Sequence, residues 1–377
     1  MPWKESSKMS SRLEFVTLAT AQGANIRALC RSFGISPQTA YKLLARFKEH
    51  GAEGLQERSR KPHSSPRRSS AQLESEVLAL HEKYPCWGAR KLATFLPEDV
   101  RPHPNTISTI LRRHGRQVAA STDVQSPAIT RFEHEAPNLL WQMDFKGHFA
   151  LTDPQAGRCY PLTVLDDHSR FAICLKACPG ETGEHVKQAL TDAFRRYGLP
   201  EKITCDNGNP WGTPKQNGIT KIEAWLMRVG IKVSHSRPMH PQTQGKDERF
   251  HRTLKRELLE RTGFNSLQNC QQAFDRWRDQ YNLVRPHQAL GQKPPSSRYA
   301  ASARPYPEQL PAIEYDTGDE VRKVLGSGCI SFSGRQLFVG EGLVGEPVAV
   351  RPSDTDGIFH VIFCNRKISE IDLRIEL

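Results

Sequence analysis

One acid sits inside a strand-like apolar run, Leu139-Leu140-Trp141-Gln142-Met143-Asp144-Phe145, and it constrains this chain more than any other feature. A carboxylate in such a run is costly to bury unless it is paired or ligates a metal. The surrounding pattern says what kind of sheet holds it. After the turn at 153–157, residues 159–165 read as a second strand, Asp166-Asp167-His168-Ser169-Arg170 as a turn, and residues 171–177 as a third strand. Together they predict an antiparallel meander. A helix follows over about 183–197. The short strand Ile203-Thr204-Cys205 then ends in a second acid, Asp206, followed by Asn207-Gly208. The carboxyl ends of strands are where open α/β sheets gather ligands. A helix over about 217–229 and a strand over 231–235 lead to His240-Pro241-Gln242-Thr243-Gln244-Gly245, which opens another helix. On that helix Glu248, Arg252 and Lys255 recur at i, i+4 and i+7, on one face.

This order of strand-Asp, Asp-Asn-Gly and Pro-Gln-Thr-Gln-Gly-x-x-Glu resembles the catalytic core of retroviral integrases and related bacterial insertion-sequence transposases, an RNase H-like fold. The resemblance implies that Asp144, Asp206 and Glu248 are the acidic triad, catalytic and metal-ligating. Asn207 and Gly208 match the residues after the second acid, and Gln244 and Gly245 match the mobile loop before the glutamate. Lys255 matches a lysine that contacts the DNA end, with Arg252 at a neighbouring basic position. Two features depart from the pattern. The second acid and the glutamate lie 42 positions apart, more than in the shortest members, and residues 209–217 look like the insertion. The retroviral amino-terminal zinc module has no matching His and Cys pairs here.

The chemistry explains the residue types. Phosphodiester cleavage and joining need the attacking and leaving oxygens stabilised, which two Mg²⁺ or Mn²⁺ ions about 4 Å apart can do. Hard cations prefer carboxylate oxygens. Water serves as nucleophile for cutting and a DNA 3′-hydroxyl for joining. Taken singly, Glu248 could pair with Arg252, Asp206-Asn207-Gly208 could be a turn, and Asp144 a strand-end acid; all three in this order favour the triad. Asp166, Asp167, Glu223 and Asp247 read as structural or solvated, with Asp247 about 100° from Glu248 around a helix.

Ahead of the core, residues 12–22, 26–33 and a helix begun by Ser36-Pro37 form a helix-turn-helix pattern. Ala40, Leu43, Leu44 and Phe47 face inward, leaving Gln38, Thr39, Lys42 and Arg46 as DNA-binding candidates. Residues 56–72 are a Ser/Pro/Arg-rich linker that either tracks phosphates or is a solvated tether. Residues 73–116 read as a second helix-turn-helix. After an amphipathic stretch over 73–84, Trp87-Gly88-Ala89-Arg90 opens its next helix, and in a third Ile107, Ile110 and Leu111 face inward, with Arg112 and Arg113 as further DNA candidates and Arg116 close by. Trp-Gly-x-Arg also resembles the segment preceding the core in many such transposases. Residues 117–135 read as a linker and 136–298 as the core, whose last helix and loop pack Trp277, Tyr281 and Leu290. Short alternating runs over 321–325, 329–332, 336–339, 347–351 and 359–363 predict a small β-barrel-like domain over 299–377, serving subunit assembly or DNA contact. The expected architecture is multidomain: an all-α helix-turn-helix region, an α/β RNase H-like core and a small all-β domain.

Charge and cysteines narrow the partners. The net charge is +12; residues 1–135 carry an excess of 8 basic groups, while 300–377 carry an excess of 4 acidic ones. A basic front and middle suit a polyanion. The nine cysteines are scattered without C-x-x-C spacing, an odd count that favours buried reduced thiols over a disulfide framework; Cys174 and Cys178 could share a strand face. No apolar run approaches the roughly 20 residues of a membrane span, and the start lacks a signal peptide's apolar core. The expected partner is double-stranded DNA, element ends and target, bound by a homo-oligomer without membrane or small-molecule substrate, in the bacterial cytoplasm at the nucleoid. The implied activity is DNA cleavage and strand transfer. The rivals are a transposase-derived DNA-binding regulator without catalysis, a general RNase H-like nuclease, and a structural nucleoid protein.

Overall fold

The computed structural model describes residues 8–57, 68–116, 133–212, 218–235 and 245–374. Contacts divide the chain into two compact units, Met1–Ser70 and Ala71–Leu377.

In the first unit, α1 (Lys8–Ala19), α2 (Ile26–Ser32) and α3 (Pro37–His50) enclose Phe15, Val16, Cys30, Ala40 and Leu43. The first helix starts and stops earlier than the sequence suggests. The caps are as read: the Asn25 side chain accepts from the Ala28 amide, and the Ser36 hydroxyl accepts from that of Thr39.

The second unit begins with α4 (Ala71–Lys83), α5 (Ala89–Ala93) and α6 (Pro104–Arg113). Their core holds Val77, Trp87, Leu92, Ile107, Ile110 and Leu111. Tyr84 stacks on Trp87 with ring centroids 3.8 Å apart, closing the turn between α4 and α5.

The core sheet is built from β1 (Trp141–Phe145), β2 (Phe149–Ala150), β3 (Arg158–Asp166), β4 (Ala172–Cys178), β5 (Lys202–Cys205) and β6 (Lys232–His235). The main order is β4-β3-β1-β5-β6, with β2 on the end of β3. The β1, β3 and β4 meander is antiparallel as expected, whereas β5 joins β1, and β6 joins β5, in parallel. On one face Trp141, Met143, Leu162 and Val164 pack against α7 (Gly183–Tyr197) and α8 (Lys221–Arg228). On the other, Cys159, Leu165 and Leu175 pack against α9 (Gly245–Leu254) and α10 (Leu267–Leu283). Strand alternation therefore sends Gln142 and Asp144 to the α9 side. The edge strand β4 is blunted by α10: Asn282 bonds both the amide and the carbonyl of Ala172, at 2.8 and 3.0 Å, and Gln271 accepts from the Ala177 amide at 2.8 Å. Trp277, Tyr281 and Leu290 are buried.

The carboxyl-terminal part is all β. A four-stranded sheet runs β12 (Arg366–Asp372), β11 (Ile358–Phe363), β10 (Pro347–Pro352), β7 (Glu320–Lys323), and β8 (Cys329–Phe332) pairs with β9 (Arg335–Phe338). Weak apolar alternation hid β12 from sequence reading. These sheets share a core with Ala224 of α8. The Gly342 amide donates to the Ile219 carbonyl at 3.0 Å, so close that a Cβ on Gly342 would stand 2.2 Å from that oxygen.

Among the described residues the nine cysteines are free thiols, but Cys86, Cys329 and Cys364 are only partly buried. No helix among the described residues is long and apolar enough to cross a membrane.

Candidate active site

Asp144 stands near the end of β1 on the face covered by α9. Asp206 follows β5 directly, and its carboxylate accepts from the Gly208 amide at 3.0 Å, an Asx turn that gives Asp-Asn-Gly its local shape. Glu248 lies in the first turn of α9. The three are distant in sequence yet within electrostatic reach. The Asp144 carboxyl is pushed up to about 7, first by burial, then by the charge of Asp206, with Glu181 and Glu248 adding to it. Asp144 thus feels the charge of both other carboxylates, a hard-oxygen donor set of the kind divalent cations relieve, so the residues fit Mg²⁺ or Mn²⁺ in kind. Among the described residues no three His, Cys, Asp or Glu side chains form a ready metal cage. Glu248 is exposed on the helix surface.

Several supporting residues carry no sequence signal strong enough to single them out. His251 lies one helical turn past Glu248. Its Nε2 is 2.8 Å from the Thr163 hydroxyl and its Nδ1 is 3.9 Å from an Asp144 carboxylate oxygen. Burial, with Lys146 nearby, pushes the His251 pKa down to about 4, so this ring is neutral at ordinary pH. Behind Asp206, His235 donates through Nδ1 to the Asp206 carbonyl at 2.7 Å and through Nε2 to Glu223 at 2.7 Å. Hydrogen bonds to Cys205 and Glu223 push the His235 pKa up to about 11, which lets both ring nitrogens donate. Glu223 also accepts from the Thr220 amide, closing a capping box on α8. It is structural, as expected. Within the apparent insertion, Trp211 is buried and stacks on Phe145 beside Asp144, with centroids 5.7 Å apart. This segment is anchored in the core; residues 213–217 lie outside the described set.

Of the neighbouring acids, read as structural or solvated, Asp166 and Asp167 take the structural course. Asp166 and Asp167 are fully buried. Asp166 accepts from the amides of Asn138 and Ser169 at 2.7 and 2.8 Å. Burial would raise the Asp167 carboxyl, but hydrogen bonds from Lys246 and the His134 amide outweigh it and hold it low. Asp247 is buried with neither carboxylate oxygen hydrogen-bonded, and burial together with Asp144 and Asp167 drives its pKa far up. The 100° offset from Glu248 turns it into the protein, not into water.

The DNA-contact candidates fall in separate places. Gln38, Thr39 and Lys42 are exposed on α3, although the Thr39 hydroxyl is also 2.9 Å from that of Ser36; Arg46 is half-buried. Tyr41, on the same helix, is an exposed aromatic that polarity-based reading passed over. On α6, Arg112 is exposed, while Arg113 is engaged by the buried Glu74, which His114 also approaches at 2.9 Å. Arg252 and Lys255 are exposed on and just after α9, Lys255 being 3.7 Å from Glu260. Gln244 lies outside the described residues.

Comparison with known proteins agrees with this architecture. Residues 134–241 and 229–295 match two families described as Integrase core domain, and 319–376 match the IS481 family transposase, C-terminal domain. Residues 11–63 match a Helix-turn-helix domain and 39–111 a Homeodomain-like domain. The insertion element IS476 uncharacterized 39.2 kDa protein of Xanthomonas euvesicatoria is 27% identical over 243 residues, 63% of this chain and 67% of that protein. The IS407 uncharacterized 31.7 kDa protein of Burkholderia multivorans is 29% identical over 61% of this chain and 83% of its own length. Among solved structures, a simian T-cell lymphotropic virus intasome in complex with a PP2A regulatory subunit is 18% identical, matching 77% of this chain and 98% of that one. Its TM-score of 0.38 is too low to carry weight. With helix-turn-helix matches ahead and a match to a transposase C-terminal domain behind, this chain is similar to insertion-element transposases built around an integrase-like core.

Proposed function

We propose that the protein binds the ends of a mobile element and catalyses DNA cleavage and strand transfer at Asp144, Asp206 and Glu248. The observation that carries this reading is that the fold brings Asp206 and Glu248, 62 and 104 positions away in sequence, within electrostatic reach of a buried Asp144, whose proton affinity is raised first by that burial, then by Asp206 and less by Glu248. A chain that only bound DNA would gain nothing from acids gathered where phosphates approach, which is why the regulator reading is the weaker. Two Mg²⁺ or Mn²⁺ ions held by these three acids would supply charge neutralisation at the attacking and leaving oxygens. The remaining work belongs to the chain. His235 fixes the backbone of Asp206, and the neutral His251 supports Asp144 without placing a competing cation against it. Lys255 and Arg252 are offered to DNA-end phosphates, and Gln38, Thr39, Lys42, Arg46, Arg112 and Arg113 to duplex DNA. We propose the same domain limits as the sequence suggests, action as a homo-oligomer on element ends and target, and residence with the nucleoid in the cytoplasm.

Asp144→Asn, Asp206→Asn and Glu248→Gln each keep shape while removing an anionic oxygen. Each is expected to reduce nicking of a labelled end substrate in Mg²⁺ or Mn²⁺ by at least about a thousandfold, since a two-metal site lacking one ligand is misplaced or empty. End binding and circular dichroism should be unchanged. Asp192→Asn, on the exposed face of α7, is the control. Full cleavage by any one triad variant removes that residue from the site.

A further inference from the structure

The turn 166–170 was noted in sequence only as a link between strands, and the triad makes no direct use of it. Its second acid, Asp167, is nonetheless a junction of three distant segments. Its carboxylate accepts from Gln142 Nε2 at 2.8 Å, from the His134 amide at 2.9 Å, and from Lys246 Nζ. The same Nζ reaches the Asp167 carbonyl at 3.2 Å. Gln142 sits two residues before Asp144 on the same strand face, and Lys246 sits two residues before Glu248 in the first turn of α9. One buried carboxylate therefore ties the strand carrying the first acid to the helix carrying the third.

The tie matters because α9 presents two adjacent acids. A rotation of the helix by one residue, about 100°, would exchange Asp247 for Glu248. As built, Asp247 is buried with both oxygens lacking hydrogen bonds, an arrangement that opposes itself unless other contacts hold the turn in place. Lys246 provides a charged contact on a low-exposure site at this end of the helix, and His251 bonds Thr163 one turn later.

We propose that Asp167 is a positioning residue, acting through Lys246 to fix the rotational register of α9 so that Glu248, and not Asp247, is offered to the site. This rests on the assignment of Glu248 made above. Asp167 and Lys246 bond no triad carboxylate and act only on the helix that carries Glu248, so the loss is set by analogy with outer partners of metal ligands, at about 10–100-fold in metal affinity or activity. Lys246→Met and Asp167→Asn in the full chain should thus each weaken Mn²⁺ binding, followed by electron paramagnetic resonance, and lower kcat for end nicking by about 10–100-fold, with KM for DNA nearly unchanged. Lys246→Arg should restore most of both. Added to Glu248→Gln, Lys246→Met should cause little further loss of Mn²⁺ affinity, because both act on one ligand.

A metal-independent readout separates this idea from the function it rests on. In hydrogen exchange, amides of 245–254 should lose protection in Lys246→Met and keep it in Lys246→Arg, while the rest of the core is unaltered. Wild-type protein that bound no Mn²⁺ would count against the triad, yet the exchange result would still judge the tether. Unchanged protection with wild-type kcat in both Lys246→Met and Asp167→Asn overturns the proposal, as does a loss confined to KM, which would make Lys246 a DNA contact. If Lys246→Met does not fold, the shape-conserving Asp167→Asn decides by the same readouts.

Discussion

Asp144 shows how a single side chain can be unfavourable for folding and, on the proposed function, useful for chemistry. With its carboxyl raised from 3.8 to about 7, the folded protein keeps this proton longer than the unfolded chain does. Between those pH values the native state binds more protons, so the contribution of Asp144 to stability falls as pH rises through the window and stays low above it. Asp144→Asn should therefore raise the melting temperature of metal-free protein above pH 7 and leave it unchanged below about 3.8, checked by calorimetry in chelator. Divalent ions displace the same proton, so Mn²⁺ affinity should rise about tenfold per pH unit below 7 and level off above it. Equal Mn²⁺ affinity on both sides of pH 7 would dismiss Asp144 as a ligand. The acid itself was readable in the sequence, because an apolar run interrupted by one carboxylate has few explanations. Its partner His251 and the nearby Trp211, which stacks on Phe145, were not: a histidine at helical spacing and a tryptophan in a Pro/Gly-rich stretch acquire meaning only from what folds against them.

At the level of elements, the local signals were dependable and the orientations were not. Ser36-Pro37, the meander and the amphipathic helices declare themselves through caps and periodicity, which are short-range. Which side of α9 is buried depends on Asp167, 79 positions from Lys246, and no periodicity in ten residues encodes such a contact. The segment after α10 makes a related point about burial. His287 is buried among Arg285, Arg170, Lys91 and Arg249, and burial first, then those cations, push its pKa down to about 3. Here the unfolded chain takes up a proton at about 6.5 that the folded one refuses, so stability is complete above that pH and is lost as pH falls toward about 3. His287→Asn should flatten this acid limb in urea melts relative to wild type and change little above pH 6.5. An unaltered acid limb would mean that the imidazole is solvated in the native protein.

For the whole molecule, the division of labour follows the charge. In the first unit, α3 presents Gln38 and Lys42 on an exposed face, the arrangement with which a helix enters the major groove. In the full chain, Lys42→Ala should weaken end and random DNA alike and lower the salt slope by about one, as for a phosphate contact. Gln38→Ala should instead erode preference for the end by about 1–3 kcal/mol, as for a base contact. Equal wild-type affinity for end and random duplex in filter binding would refute sequence reading by this unit.

The close approach of Gly342 to Ile219 has an evolutionary consequence. If homologous chains exchanged segments, the natural place to cut this one would be the stretch before β7. Yet the amide of Gly342 secures the residue ahead of Thr220, Thr220 caps α8 together with Glu223, and Glu223 holds the histidine bonded to the Asp206 carbonyl. A hybrid joined at the obvious border would pair a foreign β domain with an α8 shaped for another, and the mismatch would surface at the backbone of Asp206. Viable crossovers should lie upstream of Ile219, so that α8 and the sheets it touches descend as one heritable block.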